Sequence, residues 1–125
     1  MRALELGTRG ELRERLNALV LAGVKTATTG LLAEYAEETE GLEFVGERLA
    51  LLGNDGDRVA TIEISGVELT DFAGVTWEHA AAEGEGDRSL EEWRAGHSLF
   101  WESIGTPVDE KTPLVCLRFR LVTGA

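Results

Sequence analysis

A lysine and a threonine three residues apart are the first residues whose types suggest chemistry. Lys25 is the only lysine among the first 110 residues, where every other strongly basic side chain is arginine. Arginine keeps its proton, whereas a lysine ammonium can lose its proton after modest desolvation and then act as a base. The hydroxyl of Thr28 is a useful nucleophile only beside such a base. The spacing is therefore consistent with nucleophilic chemistry; the alternative interpretation is a solvated lysine in a loop.

An acidic, glycine-spaced run, Glu83-Gly84-Glu85-Gly86-Asp87, directly precedes a predicted helix. Alternate carboxylates suit a hard cation, but this spacing matches no EF-hand loop and no closing bidentate glutamate follows. We therefore predict no metal site and no cofactor. One of these carboxyls, with its pKa raised by partial burial, could serve as a general acid or base. The alternative is a flexible acidic loop whose Asp87 favours the N-terminus of the next helix.

Two tryptophans flank a histidine at a spacing of four, as Trp93, His97 and Trp101. Aromatic residues at helical spacing belong more often to a core than to a ligand site. A histidine between two tryptophans must nevertheless find a polar partner, so core and site both stay open as interpretations. A zinc site is not predicted, because His79, His97 and the single Cys116 show no recognisable ligand spacing.

Hydrophobic periodicity predicts the elements that position these residues. Thr8 with Glu11 three residues later has the capping-box pattern of a first helix, and Gly23 stands where a terminating glycine would end it. Segment 24–32 is read as a loop or short strand. The remaining predicted elements are strands at 48–52, at 58–69 with a bulge at Gly66, and at 114–122, and helices from Thr76 through 82 and, after Ser89, over 90–104. This mixture favours an α+β fold with a largely antiparallel sheet or small barrel.

Composition limits the classes of partner. The 125 residues, 13.6 kDa, carry 12 Lys and Arg against 23 Asp and Glu, a formal net charge of −11. Duplex binding needs clustered cations, so we predict no DNA partner. No apolar run approaches the roughly 20 residues that span a bilayer, so no membrane association is expected. One cysteine and no visible export signal indicate a cytoplasmic protein. A monomer and a homodimer are equally compatible with the sequence.

Three segments, in this order, resemble the ASCH domain family, most closely its small, single-domain bacterial branch. They are Gly23-x-Lys25-x-x-Thr28, the run His79-Ala80-x-x-Glu83-Gly84-x-Gly86-Asp87-x-Ser89-Leu90-x-x-Trp93-Arg94-x-x-His97, and the strand Val115-Cys116-x-x-Phe119. The resemblance implies a single domain over residues 1–125. It also implies a small, mostly antiparallel β-barrel similar to the PUA domain, with helices packed outside and a cleft across the barrel.

The resemblance further implies an activity. Some small ASCH members are amidohydrolases that remove the acyl group of N4-acetylcytidine with a lysine, a threonine and a glutamate, which Lys25, Thr28 and Glu83 match. Lys25 would take the proton of Thr28, and Thr28 would attack the amide carbonyl. Glu83 would orient the base or donate a proton to the leaving amine. Backbone N–H groups near Thr28 and Thr29 would bind the oxyanion.

Four further residues are predicted to bind the substrate, an N4-acylated cytosine nucleoside or similar small amide: Thr29, Trp93, Arg94 and His97. Glu85 and Asp87 depart from the well-characterised amidohydrolase members. They make the cleft more anionic, which favours a free nucleoside over a polynucleotide.

Two alternatives stay open. One is a module that binds RNA or a modified nucleotide, with Arg94, Arg118 and Arg120 on phosphates and a tryptophan as stacking platform. The other is a ribonuclease in which Lys25 or a histidine activates the ribose 2′-hydroxyl.

Overall fold

A computed structural model describes residues 1–37 and 40–123. The strands of this part of the chain are β1 (Arg2–Leu4), β2 (Ala27–Leu31), β3 (Arg48–Leu52), β4 (Arg58–Asp71) and β5 (Pro113–Leu121). Its α-helices are α1 (Glu11–Leu21), α2 (Trp77–Ala82) and α3 (Leu90–Ser103), and short 3₁₀ turns cover Leu32–Glu37 and Phe72–Gly74. Among the described residues, no helix combines the length and the apolar character needed to cross a bilayer.

The five strands form one curled sheet, a half-barrel, in the order β1-β3-β4-β5-β2. The short β1–β3 pair is parallel, and the other neighbours run antiparallel. The predicted α+β fold with a mostly antiparallel, PUA-like sheet is therefore confirmed. Because the half-barrel has β1 and β2 as its two edges, each of these strands pairs on one side with a single neighbour from the described residues.

The longest strand, β4, contains the predicted bulge. Its register against β5 shifts between Ile64 and Gly66. Gly66 lies opposite Arg118, and a Cβ there would be in ordinary van der Waals contact with the Arg118 side chain, at 3.4 Å. A bulge bends a strand and increases its twist, which helps the sheet to curl.

The core occupies both faces of the sheet. On one face, α1 packs against a cluster made of Leu6, Leu16, Val20, Leu49, Leu51, Ile62, Ile64, Val115, Leu117 and Phe119. On the other face, α2 and α3 cover a cluster made of Leu31, Phe72, Val75, Ala80, Trp93, Trp101, Leu114 and Cys116. The sheet is thus enclosed between helices, and β5 contributes to both clusters because it lies between β4 and the edge strand β2.

Side-chain caps start the two helices that carry site residues. The Thr76 hydroxyl accepts a hydrogen bond from the backbone N–H of His79 at 3.2 Å. The Ser89 hydroxyl accepts one from the N–H of Glu92 at 3.1 Å. Each cap satisfies a backbone donor that has no partner within its helix. These two predicted helix starts are confirmed, and residues 83–88 form the connection between the helices. The predicted cap of α1 at Thr8 is wrong, because the residue before α1 is Gly10 and, among the described residues, no side chain caps this helix.

This connection packs directly against the segment that carries Lys25. Gly84 has φ +68°, and a Cβ there would lie 2.4 Å from the carbonyl oxygen of Val24. A hydrogen bond from Thr26 N–H to the carbonyl of Ala82, at 2.8 Å, holds the same segment against the end of α2. Arg15 of α1 donates to the carbonyl of Glu85 at 2.8 Å, which ties the acidic run to α1 as well. Glycine at position 84 therefore sets how closely the acidic run approaches Lys25.

Substituting alanine at Gly84 and at Gly86 separates the cost of backbone strain from the cost of crowding by the added Cβ. Gly86 has φ +94° and open space where a Cβ would lie, so we expect Gly86→Ala to cost about 1–2 kcal/mol through strain alone. Gly84→Ala adds a clash with the backbone of Val24, and overpacking of this kind costs about 1–3 kcal/mol more. Urea unfolding monitored by circular dichroism measures both losses. An equal loss for the two variants would contradict the close approach of Gly84 to Val24.

Candidate functional site

The gap between the edge strands forms a cleft with two adjoining cavities. The first cavity, about 370 Å³, lies beside β2 between α1 and α3, and Lys25, Thr28, Thr29, Glu83, Glu85 and His97 are among its lining residues. The second, about 440 Å³, is lined by residues of β1 and β2. Thr28, Thr29, Phe100 and Trp101 line both cavities. The implied cleft across the barrel thus corresponds to the unclosed side of the half-barrel.

Lys25 is buried between two carboxylates. Its side chain is 1% exposed, and Nζ lies 2.8 Å from Glu85 Oε2 and 3.5 Å from Glu83 Oε1. Nζ also donates to the backbone carbonyl of Glu83 at 3.4 Å. A buried cation is tolerated only when opposite charges and hydrogen bonds replace its hydration. The two carboxylates of the acidic run provide that compensation.

Glu83 is the centre of the polar cluster. Its side chain is 1% exposed. Its Oε2 accepts hydrogen bonds from Thr29 Oγ1 at 2.7 Å and from Trp93 Nε1 at 2.9 Å. Burial opposes ionisation, but hydrogen bonds from His79 and His97 and the charge of Lys25 outweigh it and hold the pKa of Glu83 well below its ordinary value. Glu83 is therefore a carboxylate in a desolvated, electrostatically strong environment.

His97 faces the other oxygen of this carboxylate. Its Nδ1 lies 2.9 Å from the carbonyl oxygen of Trp93, and because a carbonyl only accepts, Nδ1 carries a hydrogen. Nε2 lies 3.3 Å from Glu83 Oε1, an arrangement that favours a second ring proton. Burial lowers the pKa of His97, but the hydrogen bond and charge of Glu83 outweigh it and raise the pKa above 6.5. The ring stacks on Trp93 with centroids 4.0 Å apart.

His79 joins the cluster from α2, a role that sequence reasoning missed. Its Nε2 lies 2.8 Å from Thr29 Oγ1 and 3.5 Å from Glu83 Oε2. Because Thr29 donates its only hydroxyl proton to Glu83, Thr29 accepts from His79, which places a hydrogen on Nε2. The spacing of four between His79 and Glu83 was the signal available in the sequence, since such residues share a helix face.

Glu85 is also part of the site, which the sequence left open. Burial and the neighbouring charge of Glu83 raise the pKa of Glu85, although Lys25 acts in the opposite direction. The side chain keeps 20% of its surface exposed and lines the first cavity with Asp87. A carboxyl of this kind is a candidate for proton transfer.

The sequence-predicted residues fall into three groups. Lys25 and Glu83 are together, and Thr29 and His97 contact the same carboxylate. Thr28 lines the cavity from the opposite face of β2, and within residues 1–37 and 40–123 its hydroxyl makes no hydrogen bond to a side chain of this cluster.

The other two predicted binding residues do not line the cavities. Trp93 is fully buried, and its indole N–H donates to Glu83. Arg94 donates to the carbonyl of Ala73 at 2.9 Å, away from the cleft.

Metal-ligand geometry is present only in part. Among the described residues, Glu83, Glu85 and His97 offer ligand atoms that all lie within 4.8 Å of one another. Lys25 Nζ, however, contacts both carboxylates, so a side-chain cation already compensates their charge.

Cys116 is not a competing nucleophile. It is buried on β5, and burial, together with the charges of Glu83 and Glu68, raises its pKa to about 11. The thiolate is the reactive form of cysteine, so the thiol of Cys116 is inert near neutral pH.

A family model described as the ASCH domain matches residues 2–123. The chain belongs to the ASCH domain family. Its fold is similar to protein EF3133 of Enterococcus faecalis V583, with TM-score 0.84, 28% identity and coverage of 98% of this chain and 76% of that one. It is also similar to an ASCH domain of Lactobacillus crispatus JV V101, with TM-score 0.79, 28% identity and coverage of 96% and 78%.

A mutant ASCH protein of Zymomonas mobilis, at TM-score 0.54, 10% identity and coverage of 86% and 63%, shares the fold. A search of curated proteins gave no match. Family and fold are thereby established for this ASCH protein, and the chemistry of its cleft is a separate question.

Titration of His97 tests the central ion pair. We expect NMR to give a pKa above 6.5 for His97, and Glu83→Gln to lower it by removing the facing charge. Because the folded-state pKa exceeds the unfolded value, the stabilisation from His97 is complete below about pH 6.5 and is lost as pH rises through the folded-state pKa. Only two histidines are present, so a His97→Asn spectrum assigns the signals. A pKa that does not respond to Glu83→Gln would contradict the pairing.

Proposed function

We propose that this ASCH protein hydrolyses a small amide, with an N4-acylated cytosine nucleoside as the model substrate. The observation that carries the proposal is the buried Glu83 carboxylate, which binds a threonine hydroxyl and faces the Lys25 ammonium at the wall of an open cavity. Amide hydrolysis requires a nucleophile, a group that moves protons and a group that stabilises the oxyanion. The cavity offers all three side-chain types within a few ångströms.

The roles follow from charge and contact. Glu83 is positioned to accept the proton of a hydroxyl nucleophile and to return it to the leaving amine. Lys25 takes part in proton transfer, as the family resemblance implies, and its positive charge favours the oxyanion. Glu85, with its raised pKa and partial exposure, is a second proton donor beside Lys25.

The size and charge of the cleft support a small neutral substrate. The two adjoining cavities, about 370 and 440 Å³, are in the range that binds small molecules. Carboxylates outnumber cations along their walls: Glu5, Glu34, Glu43, Glu83, Glu85 and Asp87 against Arg2, Arg15 and Lys25. An anionic cleft disfavours a polyphosphate or polynucleotide.

Two of the three arginines considered for phosphate binding lie beside carboxylates. Arg120 donates to Glu63 at 3.0 Å, and Arg118 lies 3.8 Å from Glu78. Among the tryptophans considered as a stacking platform, Trp93 and Trp101 are buried, and the exposed Trp77 lines neither cavity of the cleft. Together with the arginine contacts, this supports the amide proposal over RNA binding.

Turnover of N4-acetylcytidine tests the proposal. We expect the wild type to release cytidine and acetate, and Lys25→Met and Glu83→Gln each to lower kcat/KM by about 100-fold or more, because each removes a charge from the reacting group. Lys111→Met is the matched control, since Lys111 is the only other lysine and is exposed. Mass spectrometry follows the products.

Circular dichroism establishes that each variant is folded. A folded wild type that does not hydrolyse the substrate, or equal activity in Lys25→Met and Lys111→Met, would contradict the proposal.

A further inference from the structure

Two adjacent threonines reach the cleft from opposite faces of β2. Successive side chains of a strand alternate between faces. Thr28 lies opposite Leu117 of β5 and faces the cluster under α1, whereas Thr29 lies opposite Cys116 and faces the cluster under α2 and α3. Because β2 is an edge strand, both side chains line the cavities.

Only one of the two hydroxyls is held against a base. Thr29 Oγ1 donates to Glu83 Oε2 at 2.7 Å and receives a hydrogen bond from His79 Nε2 at 2.8 Å. Within residues 1–37 and 40–123, the hydroxyl of Thr28 has no such partner. A threonine hydroxyl becomes nucleophilic when an adjacent base can accept its proton.

The base is itself fixed in place. Trp93 Nε1 donates to the same oxygen of Glu83 at 2.9 Å, and His97 contacts the other oxygen. A nucleophile, a base and a group that orients the base form the arrangement shared by unrelated hydrolases.

The backbone of Thr29 provides an oxyanion donor. Phe119 N–H donates to the carbonyl of Thr26, so Thr26 occupies a hydrogen-bonded position of the antiparallel β2–β5 pair. Hydrogen-bonded positions alternate along a strand, so the backbone of Thr28 also faces β5, whereas Ala27 and Thr29 direct their N–H and C=O groups away from it. Leu31, two residues after Thr29, follows this alternation, since its N–H bonds to the side chain of Glu34 and not to β5. The N–H of Thr29 therefore points to the free edge of β2, the side on which the cleft lies.

We propose that Thr29 is the nucleophile of the cleft, with Glu83 as its base; this inference rests on the proposed function and names the acylated residue. Thr29 Oγ attacks the carbonyl carbon while its proton passes to Glu83. The carbon–nitrogen bond breaks, and Glu83 returns that proton to the leaving amine. Water then hydrolyses the ester on Thr29, restoring the hydroxyl, the carboxylate and a free acid.

Acetylation by p-nitrophenyl acetate tests this step without the nucleoside. The folded protein is mixed with the ester, quenched in acid, digested, and sequenced by tandem mass spectrometry, which separates positions 28 and 29. We expect the acetyl group on Thr29, and a label lower by about 100-fold or more in Thr29→Val and in Glu83→Gln. Thr29→Ser restores the label at that position. In Thr28→Val the label stays on Thr29.

Thr61→Val is the matched control, because Thr61 lies on β4 outside the cleft. We expect this variant to be labelled on Thr29 to the same extent as the wild type. Acetyl on Thr28 or Lys25, or an unlabelled folded wild type, overturns the inference. Failure of the proposed function gives a different result from failure of this inference. If Thr29 is labelled but N4-acetylcytidine is not hydrolysed, only the proposed substrate class is refuted. Hydrolysis with the label on Thr28 refutes this inference alone.

Discussion

The buried carboxylate of Glu83 is the interaction on which the cleft depends. An isolated charge at such a position would be strongly destabilising, since desolvation of an ion costs several kcal/mol. Glu83 is tolerated because Thr29, Trp93, His79 and His97 direct hydrogen atoms or positive charge at it, with Lys25 beside it. These partners come from β2, α2 and α3 and from the turn before β2, so the polar cluster ties together elements distant in sequence.

Structural and chemical roles are therefore hard to separate in this site. The contacts that keep Glu83 ionised also hold the Thr29 hydroxyl against its oxygen at 2.7 Å, so they set the geometry for proton transfer. The acidic run after α2 adds Glu85, which engages Lys25 and makes the cleft more anionic. Gly84 allows this run to approach Val24 closely, so the position of Glu85 follows from the conformation of one glycine.

The cleft also follows from the topology of the sheet. A closed barrel would pair β1 with β2 and use the backbone groups of both strands. Here both strands are edges, and the space between them contains the cavities. Edge strands normally invite aggregation, and in this protein β2 is short and carries two hydroxyl side chains, and helices cover both faces of the sheet.

Local patterns in the sequence determined much of the fold. An apolar run before a cluster of turn residues predicted β3 at its observed bounds. Alternation predicted β4 with its bulge at Gly66, and capping residues located the starts of α2 and α3. β1 was missed, because a strand of three residues has no measurable period and exists only through its pairing with β3. For segment 24–32 the sequence predicts a loop or short strand, because its threonines line a cleft and do not form a continuous apolar face.

The residues of the site also divide into those that the sequence predicts and those that need the tertiary structure. Residue types and the family resemblance predicted Lys25, Thr28 and Glu83, since those signals are local in the chain, and the structure places Lys25 beside Glu83. The contacts of His79 and the choice between Thr28 and Thr29 needed the tertiary structure. Strand alternation assigns adjacent threonines to opposite faces, but only the packing of α2 and α3 on the sheet decides which face meets the buried carboxylate.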